Sequence, residues 1–514
     1  MHWFFSVHLS ISLSMRSLSK LTFALAFAAI AGQAIAATNY LVLVPVPGKT
    51  ASAPVEDAVS VVLADAALPD AKIGRAYSVD LVPYLQIKGD ANADVQSVAW
   101  SIYPGDAGQL PAGLQLDPAT GVISGTPTKI QEDPNVFQAQ ATYKSKAGIG
   151  TYTIRVGDAV LTAKQVLVGY SHACALTMTN GVKCWGMNGN GQLGNGKTTD
   201  SVAPVDVVGL TSGVAQLAVG SGQNCVVTTA GGAKCWGGNY SGQLGDGTSK
   251  NNQLTPVDVF GLTSGVKSIA TSSSHSCAVL TTGEVRCWGA NNVGQLGDRT
   301  AVDKITPVTV VGITAKQVAT GSNSTCAVNT EGGLLCWGGN GEGQLGNGTK
   351  TNSQVPVNVT GLSANVAYVA LPTNTLFACA VTTAGGAKCW GNGASGQLGN
   401  STWNNSLVPV DVTGLSSGVT SLSTGGGHVC ATTSAGDTKC WGFNSLGQVA
   451  VSGSNMFSPN TVPGASGGAV NASAGQAFSC ATVGTKVKCW GANGNGQLGD
   501  GTKVNSRTPV TVRD

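Results

Sequence analysis

Short apolar runs alternate with turn-forming residues along most of the chain, most regularly between residues 160 and 514. Segments such as "KSIATSS", "SCAVLTT", "EVRCWGA" and "TPVTVVG" have the length and composition of β-strands. The middle two runs are separated by "TNG", "TAGG" or "TTGE", which are typical of tight hairpin turns. The pattern predicts an all-β region built from units of four short strands.

This four-strand unit recurs seven times. Its marker is the dipeptide Cys-Trp, whose cysteines stand at positions 184, 235, 287, 336, 389, 440 and 489, so that successive units are 49 to 53 residues apart. Four strands in about 50 residues match one blade of a β-propeller, and seven units predict seven blades. The first unit lacks a preceding "PVxVxGL" segment, whereas the chain ends in "RTPVTVRD" (507–514). We therefore expect this last strand to pair with the blade that begins near residue 162 and to close the ring.

Residues 68–158 have a different pattern, with β-rich runs such as "SVAWSIY" and "GTYTIRV". Within them, "LPAGLQLDPATGVISGTPT" (110–128) predicts two strands joined by a turn at Asp117-Pro118 and Thr120-Gly121. This stretch resembles the immunoglobulin-like modules of bacterial surface proteins, whose hallmark is LPxGLxL…TGxIxGTP. The resemblance implies a small β-sandwich that serves as a spacer or adhesive element. Residues 37–67, rich in Pro, Ala and Val, are expected to be an extended lead-in or linker that contains one or two strands.

The repeated unit carries three signature elements: an "HxCAL"-like strand, the "WG" after a turn, and a "GQLG" loop. Over residues 160–514 it resembles the regulator-of-chromosome-condensation family, which implies a seven-bladed propeller. The eukaryotic founders of that family exchange nucleotide on a small GTPase while bound to chromatin. A secreted bacterial member blocks a β-lactamase with one face. The resemblance therefore implies a binding protein that recognises its partner through one face of the ring.

The N-terminal residues have the pattern of an export signal. Arg16 and Lys20 form a positive region, an apolar run covers 21–32, and "AIA" at 34–36 supplies the small-x-small cleavage site. We expect residues 1–36 to be a signal peptide, with Met15 as an alternative start. A membrane anchor is the alternative, although the apolar run is short for a bilayer span. The protein is then secreted, periplasmic or attached to the cell surface.

The charge balance excludes one class of partner. Charged residues make up only 10% of the chain, and the formal net charge is +3. Without a Lys/Arg-rich run, the chain lacks the electrostatic footprint of a nucleic-acid-binding protein. No second stretch is long and apolar enough to span a membrane, and we expect a monomeric mature chain.

All fourteen cysteines lie in the repeats, two per unit, ten residues apart in six units and nine in the seventh. A hairpin turn midway places the two positions opposite each other, close enough for their sulfurs to bond. Because an exported chain meets an oxidising compartment, we predict seven disulfides; reduced, buried cysteines are the alternative. The spacing does not fit zinc. The predicted pairs are Cys174–Cys184, Cys225–Cys235, Cys277–Cys287, Cys326–Cys336, Cys379–Cys389, Cys430–Cys440 and Cys480–Cys489.

Two further patterns, three histidines and a G-x-G-x-x-G match, resemble a metal site and a nucleotide site, but neither has the other features that such a site requires. His172, His275 and His428 share one repeat position, where other units have Gln, Ser or Phe, so we interpret the position as a packing or hydrogen-bonding slot with no metal. Gly189–Gly194 matches G-x-G-x-x-G, the dinucleotide fingerprint. The following "NGKTTDSVAPVDV" has no helical periodicity and contains a proline, whereas the fingerprint requires a helix there. We expect no cofactor.

The loops after "CWG" and "GQLG" vary between units and are expected to ring the propeller faces. Tyr240, Trp403 and Phe443 are aromatic residues in these loops and are candidate ligand contacts. No catalytic residues can be assigned. The sequence therefore predicts an exported, non-enzymatic binding or scaffold protein for a protein or glycan partner. The alternatives are a polysaccharide-active hydrolase or lyase at the propeller channel, and a purely structural surface spacer.

Overall fold

The structure is a computed structural model that describes residues 59–104, 108–157 and 160–514. The predicted signal peptide (1–36) and most of the lead-in lie outside the described residues. Within the described part of the chain, no helix has both the length and the apolar character that a membrane crossing requires. Two β-rich parts follow each other along the chain.

The first part is a small sandwich of ten strands. Its sheets run β2-β10-β9-β6 with β3 on β10, β4-β8-β7, and β1-β5. Two 3₁₀ turns, Val82–Tyr84 and Val95–Ser97, connect strands. The strands are β1 (Ser60–Leu63), β2 (Ala66–Ala67), β3 (Ala71–Lys72), β4 (Tyr77–Asp80), β5 (Leu85–Lys88), β6 (Ala99–Ile102), β7 (Leu114–Leu116), β8 (Val122–Gly125), β9 (Gln131–Tyr143) and β10 (Lys146–Gly157).

The sandwich begins before residue 68, where the sequence pattern places its start. Strand β1 pairs antiparallel with β5, and its Val61 and Leu63 are buried in the same core as Trp100 and Phe137. The predicted lead-in therefore contributes strands to this core. Every second residue of "SVVL" is buried, because successive side chains of a strand point to opposite faces of the sheet, and so β1 adds its buried face to this core.

The second part consists of seven four-stranded antiparallel blades. In each blade, strands A, B, C and D follow one another from the ring centre outward. One long strand, β22, ends blade 3 and begins blade 4. The blades are β11 (Ala163–Val168), β12 (His172–Thr177), β13 (Val182–Gly186), β14 (Ser201–Asp206); β15 (Val214–Val219), β16 (Gln223–Thr228), β17 (Ala233–Gly237), β18 (Gln253–Asp258); β19 (Val266–Thr271), β20 (His275–Leu280), β21 (Glu284–Gly289), β22 (Lys304–Thr320); β23 (Ser324–Asn329), β24 (Leu334–Gly338), β25 (Ser353–Asn358); β26 (Val366–Ala370), β27 (Phe377–Thr382), β28 (Ala387–Gly391), β29 (Ser406–Asp411); β30 (Val419–Thr424), β31 (His428–Thr433), β32 (Thr438–Gly442), β33 (Met456–Thr461); and β34 (Ala469–Ala474), β35 (Phe478–Val483), β36 (Lys486–Gly491), β37 (Ser506–Thr511).

The seven blades form a closed ring. Each A strand contacts the A strands of both neighbouring blades, and β11 of blade 1 contacts β34 of blade 7. Because the strands within a blade are antiparallel, the A–B turns and C–D loops meet on one face of the ring. We call this the GQLG face. The B–C hairpins and D–A connections form the other, the hairpin face. The predicted all-β fold with a seven-bladed propeller and an N-terminal sandwich is confirmed.

The ring closes differently from the expectation. Strand β37 pairs with β36 and completes blade 7 itself, so it does not join blade 1. Closure comes from the other end: Leu161 N–H donates to Val512 O (2.9 Å), and Val487 N–H donates to Leu161 O (3.3 Å). Leu161 thereby occupies the place that Leu210, from the "GL" connection, takes in blade 1, where Val182 N–H donates to Leu210 O. Blades 2, 4 and 5 carry a leucine at the same place (Leu262, Leu362 and Leu415), and residues 160–163 supply the one over the third strand of blade 7.

The tryptophan of each Cys-Trp joins two blades. Trp236 is fully buried, and its indole Nε1–H donates to the backbone carbonyl of Gln192 in the preceding blade's "GQLG" loop (3.0 Å). Trp185 makes the same bond to Gln497 of blade 7 and so takes part in ring closure. The other pairs, at 2.9–3.0 Å, are Trp288–Gln243, Trp337–Gln295, Trp390–Gln344, Trp441–Gln397 and Trp490–Gln448.

The repeat histidines belong to the same junction. His172 Nε2–H donates to Asn224 Oδ1 of the next blade (2.9 Å), and Asn224 Nδ2–H donates to Gln192 O. His275 and His428 likewise reach a hydroxyl that itself donates to a "GQ" carbonyl, which fixes the neutral tautomer with the proton on Nε2. Burial lowers the pKa of His172 to about 4 and that of His275 and His428 to about 3.

All seven predicted cysteine pairs are opposite each other on strands B and C, for example Cys174 and Cys184. Their sulfurs lie 2.04–2.13 Å apart, at bonding distance, and every cysteine of the described chain belongs to such a pair. Each pair lies within one blade, so the cross-links do not connect neighbouring blades.

The sandwich contacts the propeller at the hairpin face of blades 1 and 7. The carboxylate of Asp514 pairs with Lys72 of the sandwich (2.8 Å) and with Lys183 of blade 1 (2.8 Å). Arg75 Nε–H donates to the Asp514 backbone carbonyl (2.8 Å). Burial alone would raise the pKa of the Asp514 carboxyl, but hydrogen bonds from Lys183 and Lys72 hold it below its usual value. One aspartate therefore connects both parts of the chain, and the GQLG face lies on the side away from this contact.

Ring closure can be tested with Leu161→Ala. We expect it to lower the free energy of unfolding by about 2–5 kcal/mol, the usual cost of emptying a buried leucine site. Leu210→Ala, the equivalent change inside blade 1, is the matched control. Urea unfolding followed by tryptophan fluorescence measures both variants. Wild-type stability for Leu161→Ala, with a loss for Leu210→Ala, would contradict closure through residues 160–163.

The buried histidines predict a loss of stability in mild acid. Their folded-state pKa values lie below the unfolded value of about 6.5, so the unfolded chain binds more protons. Their contribution is complete above pH 6.5 and is lost as the pH falls toward 4. At pH 5.5 each histidine lowers the free energy of unfolding by about 1.4 kcal/mol relative to its value well above pH 6.5.

Unfolding at pH 7.5 and pH 5.5 measures this difference. The matched variant replaces all three histidines with glutamine, which blade 2 carries at the same position as Gln223. We expect the free energy of unfolding of this variant to differ much less between pH 7.5 and pH 5.5 than that of the wild type. An equal pH dependence for wild type and variant would refute the assignment.

The cysteine pairs predict that thiol titration of the unfolded, unreduced protein detects no thiol and that reduction releases fourteen. Because a loop of about ten residues is closed by each bond, reduction should cost roughly 2–3 kcal/mol per blade. Free thiols before reduction, in protein exported by its host cell, would show the cysteines to be reduced.

Candidate functional site

The C–D loops that dominate the GQLG face are held by a repeated network. In blade 1, Asn188 Oδ1 accepts from Leu193 N–H (2.9 Å), while its Nδ2–H donates to the carbonyls of Lys197 and Thr199. Six blades place an asparagine here; blade 5 has Gly393, where the Asn404 carbonyl would collide with an added Cβ. These loops thus present a preformed surface.

Asp246, Asp298 and Asp500 accept hydrogen bonds within these loops, whereas Glu342 accepts from Asn405 Nδ2–H of the next blade. Asp298 Oδ1 accepts from the Thr300 hydroxyl (2.7 Å) and from Asn291 (3.0 Å). Burial would raise the pKa of the Asp298 carboxyl, but these hydrogen bonds and Lys304 hold it below its usual range. Such carboxylates position backbone and do not project as free acids or bases.

The fingerprint-like segment Gly189–Gly194 is one of these loops and leads into strand β14, not into a helix. A Cβ on Gly194 would lie 2.8 Å from the Trp236 Nε1, so the indole ring leaves little room for a side chain at this junction. Blade six, with "GQVAVSGSNMFSP", keeps the same loop: Asn444 accepts from Val449 N–H (3.0 Å). Its Ala450 adopts φ 57° in place of the glycine.

The three predicted aromatic contacts all lie on the GQLG face but in different blades. Tyr240 is 65% exposed, Trp403 60% and Phe443 36%, and the Trp403 ring packs 4.1 Å from that of Phe457. Sequence reasoning missed Tyr170, which is 43% exposed in the A–B turn of blade 1. Five other blades have Ser221, Ser273, Ser322, Gly426 or Gln476 at the corresponding position, so the aromatic residue there was the available signal.

Tyr170 and Tyr240 are the two residues of this set that the fold brings together. They line one pocket between blades 1, 2 and 3. Of the exposed aromatic residues in the described propeller, only Phe260 lies on the hairpin face. The GQLG face thus concentrates the exposed aromatic surface of the ring.

The central channel has a volume of about 290 Å³ and is lined by the A strands. None of its lining residues within the described chain is Asp, Glu, His, Lys, Arg or Cys. Its amide side chains connect blades: Gln216 Oε1 accepts from Ile269 N–H, and its Nε2–H donates to Ile269 O. Gln317 does the same for Val369. These amide side chains of the channel lining therefore hold neighbouring blades together.

The three histidines are distributed over blades 1, 3 and 6, each inside its own blade junction. Across the residues that the structure describes, no group of three or more His, Cys, Asp or Glu side chains is arranged to hold a metal ion. The slot interpretation from sequence thus matches the hydrogen bonds that these histidines make.

Comparison with known protein families gives matches in both parts of the chain. The RCC1-like domain family matches residues 210–514, and the RCC1 repeat matches residues 163–192 and 182–227. The family described as "Putative Ig domain" matches residues 59–157, which agrees with the early start of the sandwich.

Individual proteins agree with these matches. The Ultraviolet-B receptor UVR8 of Arabidopsis thaliana is 32% identical over 364 residues, covering 68% of this chain and 81% of that protein. The probable E3 ubiquitin-protein ligase HERC4 of Rattus norvegicus is 33% identical over 146 residues, but this covers only 14% of its length.

Among solved structures, yeast RCC1 (Prp20) in complex with Kap60 superposes with a TM-score of 0.59 at 19% identity, covering 69% of this chain and 88% of that one. This likeness shows the fold. Together with the family matches and the identity to UVR8, it leads to one conclusion: this chain belongs to the RCC1-like repeat family of β-propeller proteins.

Proposed function

We propose that this protein is an exported, non-enzymatic binding protein that holds a protein or glycan partner on the GQLG face. The observation that carries the proposal is the distribution of exposed aromatic residues. Tyr170, Tyr240, Trp403 and Phe443 lie on this face, whereas the sandwich contacts the hairpin face through Asp514. Exposed aromatic residues on a rigid surface are typical anchors of binding interfaces.

Two further observations support binding over catalysis. The channel lining contains no charged side chain among the described residues, and the Asp298 carboxylate is engaged in hydrogen bonds within its own loop. A hydrolase or lyase needs at least one free acid or base at its site. The yeast relative is itself bound to Kap60, which is consistent with propellers of this family acting as binding platforms.

The partner test uses the mature chain, residues 37–514, as bait against cell-surface extracts and a glycan array. Replacing Tyr240, Trp403 and Phe443 together with alanine should weaken capture at least about tenfold, because exposed aromatic anchors carry much of an interface's affinity. Phe260→Ala, an equally exposed aromatic residue on the hairpin face, is the control and should bind as wild type.

Two results would contradict this proposal. Equal loss in Phe260→Ala would place the interface elsewhere. Turnover of polysaccharides in hydrolase or lyase assays, abolished by changes on the channel wall, would favour the enzymatic alternative.

Export follows from the N-terminal pattern and has its own test. The chain expressed in a bacterial host should be released with Ala37 as its first residue, since cleavage follows "AIA" at 34–36. N-terminal sequencing and intact mass measure this. An uncleaved chain in the membrane fraction would show that residues 21–32 act as an anchor.

A further inference from the structure

The GQLG face contains one pocket with aromatic residues at its rim and buried polar groups at its floor. It lies between the loops of blades 1, 2 and 3 and has a volume of about 210 Å³. Tyr170 and Tyr240 line it, 43% and 65% exposed. Pockets for drug-sized ligands measure about 300–1,000 Å³, so this one has room for a single small ring.

The floor of the pocket contains polar atoms without partners. Gln223 is 1% exposed, and its Nε2–H donates to the Thr271 hydroxyl (3.1 Å) and to Ser272 O (2.6 Å). Its Oε1 accepts no hydrogen bond from any described residue, and the buried Ser221 Oγ also lacks a partner there. Leaving such atoms unsatisfied costs about 1–3 kcal/mol each.

Two repeat positions of blade 2, Gln223 and Gly238, border the pocket. Blades 4, 5 and 7 also lack a histidine at the first position, and blade 4 also has a glycine, Gly339, at the second. Three blades have histidine where Gln223 stands, and in each the imidazole Nε2 bonds to the next blade. The "CWGx" position is Gly238 in blade 2, whereas blade 1 has Met187 and blade 6 has Phe443. A Cβ on Gly238 would have only ordinary contacts, the nearest at 3.4 Å, so the empty space comes from the sequence and not from a strained backbone.

The chemistry of the lining defines the class of ligand. The pocket has no Lys, Arg, His, Asp or Glu among its described lining residues. It offers aromatic faces for C–H groups and amide and hydroxyl groups for hydrogen bonding. A neutral pyranose ring has both complementary features, because its C–H face is weakly positive and its hydroxyls both donate and accept. A phosphate, uronic acid or sialic acid would find no opposing charge.

We infer that this pocket binds one uncharged sugar ring, the terminal hexose or N-acetylhexosamine of a glycan, between Tyr170 and Tyr240 and over Gln223. The inference rests on the proposed function and narrows it to the glycan class at one site. A protein side chain in the same pocket is the competing occupant and is an outcome of the test below.

The test uses the mature chain and an array of multivalent neutral sugars (glucose, galactose, mannose, N-acetylglucosamine and N-acetylgalactosamine) beside glucuronic and sialic acid. Multivalent display makes weak single-ring binding measurable. Gly238→Met fills the pocket with the side chain that blade 1 carries at the equivalent position. Ala290→Met makes the same change in blade 3, outside the pocket lining, and is the matched control.

We expect wild type to bind at least one neutral sugar, and Gly238→Met and Tyr240→Ala to reduce that binding at least about tenfold, equal to about 1.4 kcal/mol. Ala290→Met should bind as wild type. Thermal unfolding of all variants verifies that the fold is intact, and a third variant, Tyr170→Ala, keeps the test valid if one of them fails to fold.

The outcomes separate this inference from the broader proposal. Sugar binding that persists in Gly238→Met, or a preference for acidic sugars, overturns the pocket assignment. If no sugar binds but a protein partner is captured and lost in the aromatic variants, the sugar inference is wrong while the binding function stands. If neither sugar nor protein binds the GQLG face, both fail.

Discussion

The hydrogen bond from each buried tryptophan to the "GQ" carbonyl of the preceding blade is the interaction on which the propeller depends. It occurs at all seven junctions at 2.9–3.0 Å, including the one between Trp185 and Gln497 that joins the last blade to the first. At several junctions the same carbonyl accepts a second bond, as from Asn224 at Gln192. A buried carbonyl left without donors would be costly, so each loop is fixed by its neighbour.

This arrangement determines which positions of the repeat can vary. The glycine after "GQL" lies against the indole ring, where a Cβ on Gly194 would approach Nε1 to 2.8 Å. The loop asparagine and the paired cysteines are likewise occupied by internal bonds. Outward positions such as Tyr240, Trp403 and Gly238 take no part in these internal bonds. Differences between blades therefore collect on the GQLG face, which is where a symmetric scaffold acquires a specific surface.

The disulfides and the junctions have separate roles. Each cysteine pair ties two strands of one blade. Apart from the chain connections between consecutive blades, the blades are held together by noncovalent contacts: the tryptophans, the histidine slots and the channel amides such as Gln216. The ring itself closes through the bonds of Leu161 to Val512 and Val487, and Asp514 next to that seam also holds the sandwich. Closure and domain contact thus share one short region.

Recurrence along the sequence was enough to predict the seven blades and the hairpin pairing of the cysteines, because a repeated spacing reports local strand and turn geometry. Recurrence did not predict how the ring closes, because the last "PVTV" strand has the same local preference whether it pairs within blade 7 or with blade 1. Only the position of Leu161 over blade 7 decides between these two pairings. The pocket was also beyond the sequence. Tyr170 and Tyr240 are 70 residues apart, and the unpartnered Gln223 amide becomes a candidate contact only when three blades meet around it. Local patterns determined the strands, and long-range packing of buried polar groups decided the seam and the site.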